Sequence, residues 1–317
     1  MKIGCVGLGN IGRHLAANLL TAGFDLTVHD LHRAAGDALV ASGATWADSP
    51  AEVAARCDAV ITCLPSVRAI TEVVVGEGGL IHGFVAGSTW IDMSTNDPHE
   101  LQRLAGLLAQ KGVHTLEAPV TGGAHNAESA TITVLVGGDE SLYQQHVDVF
   151  DAVGGRVFFI GGLGKAAVIK VITNMLAFIN MAALSEAYML AEKGGIDLRQ
   201  AWEVIRASSG NSFIHETEAT TILSGSYDIG FSLDLACKDL GFAMDMGREF
   251  GVPLDVASTV NQLHIRSRST YGGGAGSPMV ARLLEDACGI DLRADGFPAD
   301  LDEYLASMPR APRVPRT

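Results

Sequence analysis

Metal-ligand spacings, a cysteine framework and basic clusters are all missing from this chain. Its five cysteines, Cys5, Cys57, Cys63, Cys237 and Cys288, form no CxxC pair and are odd in number. That excludes a disulfide scaffold or a cysteine metal site and leaves reduced, buried thiols as the expectation. The ten histidines show no ligand spacing either, and His29, His32 and His125 read as surface or helix-edge residues. Only 18% of residues are charged against 48% hydrophobic, the composition of a packed protein. Acids outnumber bases 36 to 22, a net charge of −14, so no affinity for nucleic acid or an anionic membrane is expected. Any anion bound here must meet local donors. No repeat or low-complexity tract stands out, and the pair Glu285/Asp286 reads as solvated surface. Lys2 leads directly into an apolar run, so no secretory leader and a cytoplasmic location are expected.

What is present suits two domains, since 317 residues exceed one average core. A glycine cluster at Gly161 is followed by a proline-free, apolar stretch to Lys193 that reads as one helix of roughly 43 Å. Its composition marks it as buried on most sides. Asn174, Asn180, Ser185 and Glu186 interrupt it, which favours a core helix over a membrane span. Lys170 and Asn174 lie one turn apart on one face of it. A lysine there either snorkels to solvent or has a partner and a purpose.

The first half alternates strand and helix. Lys2–Gly7 is a short strand, and Gly7, Gly9 and Gly12, with Leu8, Asn10 and Ile11 between them, make a GxGxxG turn into a helix that Gly23 closes. The glycines allow the tight turn and close backbone approach to a pyrophosphate, with the helix N-terminus offering N–H groups. A second strand, Asp25–His29, ends at Asp30, placed to accept the adenosine ribose hydroxyls and to repel a 2′-phosphate. NAD is therefore expected over NADP, although Arg33 lies nearby. A strand-like segment at Ala44 and Thr45 and a helix from Pro50 to Cys57 follow. The strand Ala59–Leu64 would bring Leu64 and Pro65 to the cofactor wall. After Trp90–Met93, the residues Ser94, Thr95 and Asn96 are expected to cap the helix that starts near Pro98. His114–Ala118 leads to Thr121, Gly122 and Gly123, a turn between strands whose N–H groups could hold a carboxylate. Thr131–Val136 and Arg156–Ile160 complete the strands.

Beyond the long helix, helices are expected from Asp197 to Ala207, from Phe231, from Pro253 to about Arg268, and from Met279 to Ala287. Ser208–Phe213 reads as a polar loop and YGGGAGSP, from Tyr271, as a flexible hinge. After Gly289 the periodicity fades, and the basic, proline-rich end from Pro309 reads as disordered or laid over a partner subunit.

Four ordered segments, GLGNIGRHLAANLLTAG at Gly7, DMSTNDP at Asp92, EAPVTGGAHNAESATITVLVGG at Glu117 and GLGKAAVIKVITN at Gly162, with KDL at Lys238, resemble the β-hydroxyacid dehydrogenase family. The resemblance covers roughly residues 1 to 285. It implies a Rossmann-type doubly wound domain (1–162), one long interdomain helix (163–193) and an all-α domain with its tail (194–317). It also implies that Lys170 is the catalytic lysine and Asn174 a substrate-holding amide. Thr121, Gly122 and Gly123 would bind the substrate carboxylate, and Thr95 and Lys238 would meet the cofactor. The chain departs from the family in having Thr121 for serine, Glu117 for aspartate and Ala130–Thr133 for a GTLT run. Asn211, Phe213, Phe231 and Asp239 are expected to complete the pocket, for a 3-hydroxy acid of a few carbons. Lys170 would take the hydroxyl proton in oxidation and return it in reduction. A homodimer or homotetramer is expected. The competing readings are an imine reductase on the same scaffold and a non-catalytic dinucleotide-binding module.

Overall fold

A computed structural model describes residues 1–306; the basic, proline-rich end lies outside the described residues. The chain divides into two compact units, one ending at Lys170 and the other beginning at Val171.

The first unit contains β1 (Lys2–Val6), α1 (Gly12–Thr21), β2 (Asp25–His29), α2 (Asp37–Ala41), β3 (Thr45–Trp46), α3 (Pro50–Arg56), β4 (Ala59–Thr62), α4 (Val67–Val75), β5 (Thr89–Asp92), α5 (Pro98–Ala109) and β6 (His114–Glu117). There follow β7 (Val120–Thr121), α6 (Gly123–Glu128), β8 (Ile132–Gly137), α7 (Glu140–Gln145), α8 (Val147–Val153) and β9 (Gly154–Gly161). The strands form one sheet in the order β3-β2-β1-β4-β5-β6-β8-β7, with β9 beside β8. Strands β1 to β6 are all parallel, and β8 meets β6 and β7 antiparallel. Both faces are covered, which is why the strands read as unbroken apolar runs. Ile3, Cys5, Ala59, Ile61 and Ile91 enter one core, and Val6, Val60 and Trp90 enter the other. At the carboxyl ends of the neighbours β1 and β4 the connections diverge, α1 leading outward to β2 and β4 continuing to β5. That is the topological switch point, where ligands bind in doubly wound sheets.

Helix α9 (Lys165–Lys193) begins in the first unit and continues into the second. Among the described residues it is long and apolar enough, by length and composition, to cross a membrane. The expectation of burial on most sides does not hold, because Ile172, Leu176 and Leu190 are 36%, 50% and 75% exposed. Of its interrupting polar residues Asn174 and Ser185 are buried, whereas Asn180 is half-buried and Glu186 exposed.

The second unit adds α10 (Leu198–Arg206), α11 (Phe213–Glu216), α12 (Thr220–Ser224), α13 (Leu233–Phe250), α14 (Asp255–Tyr271), α15 (Val280–Cys288) and α16 (Leu301–Ala306). Two sequence expectations are overturned here. The glycine segment after Tyr271 is no loose hinge: Asp234 N–H donates to Gly273 O at 2.9 Å, Leu233 N–H to Ala275 O at 2.8 Å and Ser277 N–H to Phe231 O at 2.8 Å. It is pinned to the start of α13 by the N–H groups that a helix end leaves over. Nor is Glu285 solvated. It is 1% exposed and accepts hydrogen bonds from the Tyr227 hydroxyl, from Leu292 N–H at 2.6 Å and from Arg293 Nη1 at 2.8 Å. The guanidinium also reaches the Ile222 carbonyl and the Tyr227 hydroxyl. This knot ties the aperiodic segment after α15 to α12 and seats Leu292 and Phe297 beside Tyr188 and Trp202.

Candidate active site

The glycine turn has the geometry its spacing suggests. Gly7 sits at φ +94°, and a Cβ there would come 2.4 Å from the Cys63 carbonyl; at Gly12 one would come 1.9 Å from the Gly7 carbonyl. Those two glycines permit the turn and the packing of helix on strand. A Cβ on Gly9 would meet nothing within 4 Å, so the open side lies at the glycine past which a pyrophosphate would pass. Helix α1 begins without a side-chain cap, the Arg13 and His14 N–H groups turning to the Gly9 and Ile11 carbonyls, so no capping side chain competes with a ligand at its N-terminus. Leu8, Asn10 and Ile11 belong to the same turn. These residues fit a dinucleotide.

Asp30 closes one side of the turn. Its Oδ2 accepts from Leu8 N–H at 2.7 Å and its Oδ1 from His32 N–H at 2.8 Å. Arg33 is turned to other partners, pairing with Asp37 at 2.7 Å and lying over the Trp46 ring at 4.3 Å. His29 is buried rather than superficial, with Nδ1 2.9 Å from the Ala47 carbonyl and its ring 5.6 Å from Trp46.

The segment after β5 is not the cap of α5; Asp97 is, accepting from the His99 and Glu100 N–H groups at 2.9 Å each. Ser94 and Asn96 serve the buried Asp92 instead. Ser94 N–H donates to Oδ1 at 3.1 Å, Thr62 Oγ1 to Oδ1 at 3.0 Å and Asn96 Nδ2 to Oδ2 at 2.9 Å. Burial raises the Asp92 carboxyl, while those donors hold it down. Ser94 Oγ in turn accepts from Leu64 N–H at 3.0 Å, fixing the Leu64–Pro65 turn after β4. Thr95 is the half-exposed residue between two buried neighbours.

Gly122 and Gly123 sit at φ +124° and +83°, yet they open α6 instead of joining two strands. Thr121 pairs with Thr133 in the antiparallel end of the sheet, and Asn126 Nδ2 returns to the Gly122 carbonyl at 2.8 Å.

Lys170 lies in the second turn of α9 and is 7% exposed. In the second unit, Asn174 Nδ2 donates to Asp239 Oδ2 at 2.6 Å, and Lys238 Nζ is 2.9 Å from Asp239 Oδ1. Phe178, one turn after Asn174, packs against Phe231 with ring centroids 6.0 Å apart. Asn174, Phe231, Lys238 and Asp239 are thus brought together along α9 and α13. Asn211 belongs to a different cluster: it donates to Glu216 at 2.6 Å and accepts from Ser212 N–H, which makes it a turn-former before α11. Phe213 is 54% exposed.

Two family models match the chain: the NAD binding domain of 6-phosphogluconate dehydrogenase over residues 2–161, and the NAD-binding region of NADP-dependent 3-hydroxyisobutyrate dehydrogenase over 164–284. A 2-(hydroxymethyl)glutarate dehydrogenase of Eubacterium barkeri is 34% identical over 92% of this chain and 97% of its own. The chain belongs to the β-hydroxyacid dehydrogenase family. An L-threonate dehydrogenase of Cupriavidus necator is 32% identical over 92% of this chain and 97% of its own. Among solved structures, a 3-hydroxyisobutyrate dehydrogenase from Salmonella typhimurium superposes with a TM-score of 0.83, at 30% identity over 89% of this chain and 99% of its own. The Rossmann-type sheet, long helix and helical second unit are those of a β-hydroxyacid dehydrogenase. The family match ends at residue 284, so Glu285, Leu292 and Arg293 of the knot lie just past the matched region while Ile222 and Tyr227 lie within it.

Sequence reasoning gave this family member's Asp92 and Glu117 no structural role. The usable signal was the one that singled out Asp30, an acid ending an apolar strand. Glu117 is 1% exposed and sits beside Asp92 across β5 and β6. Burial raises its carboxyl from 4.5 to about 7, against the pull of three backbone N–H donors. The folded state therefore keeps this proton to a higher pH than the unfolded chain does. Its contribution to stability falls as pH rises from about 4.5 to about 7 and is level above, a change on the order of 3 kcal/mol. Denaturation of the wild type and of Glu117→Gln across that range should show the wild type gaining on the variant toward acid. A pH-independent difference would refute the assignment.

Proposed function

We propose that this β-hydroxyacid dehydrogenase moves a hydride between NAD and a small 3-hydroxy acid, with Lys170 as the proton-transfer group. A nearly buried lysine on an apolar helix, one turn before an amide already oriented by a buried carboxylate, is the observation that carries the reading. When bound, the nicotinamide supplies the hydride acceptor. The protein's own part is to hold the hydroxyl and take its proton at Lys170 Nζ, or return it in the reverse direction. Thr121 and the Gly122 and Gly123 N–H groups bind the carboxylate, Asn174 and Asp239 orient the reacting oxygen, and Phe231 supplies an apolar wall. Thr95 and Lys238 contact the cofactor. Asn211, committed to Glu216 and Ser212, has the weakest support as a substrate ligand.

The relatives' named substrates, 2-(hydroxymethyl)glutarate and L-threonate, and 3-hydroxyisobutyrate all carry a hydroxyl on the carbon β to a carboxylate. Initial rates of nicotinamide reduction with these three acids, each with NAD and NADP, test the reading. Oxidation of at least one is expected; bound dinucleotide with none oxidised would favour a non-catalytic binding module.

NAD is the proposed partner because the Asp30 carboxylate stands at the end of β2 while Arg33 is engaged by Asp37 and Trp46. Asp30→Ala is expected to shift the NADP-to-NAD ratio of kcat/KM upward by about tenfold, equal to about 1.4 kcal/mol. A wild type that already prefers NADP would contradict this. The exposed Ile172 and Leu176, one turn apart on α9, support a homo-oligomer in which a second copy covers that face.

A further inference from the structure

The start of α9 is held from far away in the sequence. Gly164 N–H and Ala166 N–H donate to Glu117 Oε1 at 2.5 and 3.0 Å, and Ala167 N–H donates to Oε2 at 2.9 Å. An ordinary helix cap comes from the residue just before the first turn; this one comes from the end of β6, 47 to 50 residues earlier. Both carboxylate oxygens are used, and the carboxylate is buried. The space is built for it, since a Cβ on Gly137, the residue paired with Glu117 across β6 and β8, would come 2.3 Å from Oε1. Gly164, at φ +98°, gives the backbone the left-handed bend that turns its N–H toward the acid.

Ala166 and Ala167 are the residues four and three before Lys170. A helical side chain leans toward the N-terminus, over those positions. We propose that Glu117 is a positioning residue for the reaction, gripping the first turn of α9 and thereby fixing where Lys170 stands. The proposal rests on the reading of Lys170 as the proton-transfer group. A sheet strand is a rigid anchor, so the grip sets both the rotation of α9 about its axis and its advance along it. Above about pH 7, where the acid is ionised and where the comparison is made, a glutamine cannot replace it, because one of its two terminal groups is a donor and would face the Ala167 or the Gly164 and Ala166 N–H groups.

The test is a double-mutant cycle on the full chain, with Lys170→Ala, Glu117→Gln and the combination, using whichever of 3-hydroxyisobutyrate, L-threonate and 2-(hydroxymethyl)glutarate the wild type oxidises fastest. Glu117→Gln should lower kcat by roughly ten- to a hundredfold with the KM for NAD unchanged, the scale of a misplaced catalytic group. In the Lys170→Ala background the same change should have no further effect on kcat. Should Glu117→Gln fail to fold, Glu117→Asp, which keeps the charge and shortens the reach, takes its place with the same pattern expected. A loss of stability with kcat unchanged, or an equal loss of kcat in both backgrounds, overturns the proposal. Near wild-type turnover in Lys170→Ala alone overturns the Lys170 reading instead, so the two failures are distinguishable.

Discussion

Lys170→Ala is expected to lower kcat for hydroxy acid oxidation by about a thousandfold while leaving NAD affinity within about twofold of the wild type. The magnitude follows from general acid–base catalysis, where a positioned proton acceptor contributes 10²–10⁴-fold. The selectivity follows from placement. The glycine turn and Asp30 are built on β1, α1 and β2, elements separate from the helix that carries Lys170. Lys170→Arg should rescue little, because the guanidinium holds its proton far more tightly and is bulkier than an ammonium. Steady-state rates together with dinucleotide titration by fluorescence check both halves. A variant that lost NAD binding and turnover in parallel would show Lys170 to be structural.

The largest effect on stability is expected at Glu285. Glu285→Ala removes one buried acceptor from three donors at once, the Tyr227 hydroxyl, Leu292 N–H and Arg293. Leaving the buried Tyr227 hydroxyl and Leu292 N–H without their acceptor costs about 1–3 kcal/mol each, while the Arg293 guanidinium, about a third exposed, is partly matched by water. Burial by itself raises the Tyr227 phenol, so in the variant the hydroxyl stays neutral near pH 7 and keeps a proton that has lost its acceptor. Glu285→Gln keeps an acceptor oxygen and should lose less, about 1–3 kcal/mol. Chemical denaturation followed by circular dichroism gives the comparison. An alanine variant within about 1 kcal/mol of the wild type would mean that the segment after α15 is held by Leu292 and Phe297 alone.

The parts of the molecule that were legible in its sequence are those whose signal is local. The strands β1, β2, β4 and β5, the glycine turn and the 29-residue α9 carry their periodicity or their glycines within a few residues, and each stands where its pattern indicates. Helices α4, α7, α8, α11 and α12 did not stand out, being short and stabilised by packing more than by a long repeat. What failed consistently was the reading of single polar residues. Ser94 and Asn96 looked like caps and instead satisfy Asp92. Glu285 looked like surface and is the centre of a buried knot. The glycines after Tyr271 looked like a hinge because glycine permits motion, while the hydrogen bonds that remove that motion come from α13. Ser94 and Asn96 reach an acid only 2 and 4 residues away, but one whose burial no local pattern encodes; Glu285 reaches back 58 residues to Tyr227, and the glycines are held by the distant start of α13. The same holds for Glu117, whose three donors come from the far side of β9 in sequence. For the candidate site, the family resemblance supplied the residues and the structure supplied their company. Asn174 and Asp239, both named beforehand, meet at 2.6 Å, whereas Asn211 turns to its own loop.

Direct transfer of a hydride between hydroxy acid and nicotinamide is the centre of this account. Its sharpest measurement is isotopic: the full-length protein is given NAD with 3-hydroxyisobutyrate, L-threonate or 2-(hydroxymethyl)glutarate carrying deuterium on the carbon that bears the reacting hydroxyl. The mass of the reduced dinucleotide is then recorded. The account predicts one deuterium in the reduced nicotinamide with at least one of the three acids, and little or none formed by Lys170→Ala in the same time. Reduced nicotinamide without deuterium, or none formed from any acid although NAD is bound, would contradict it.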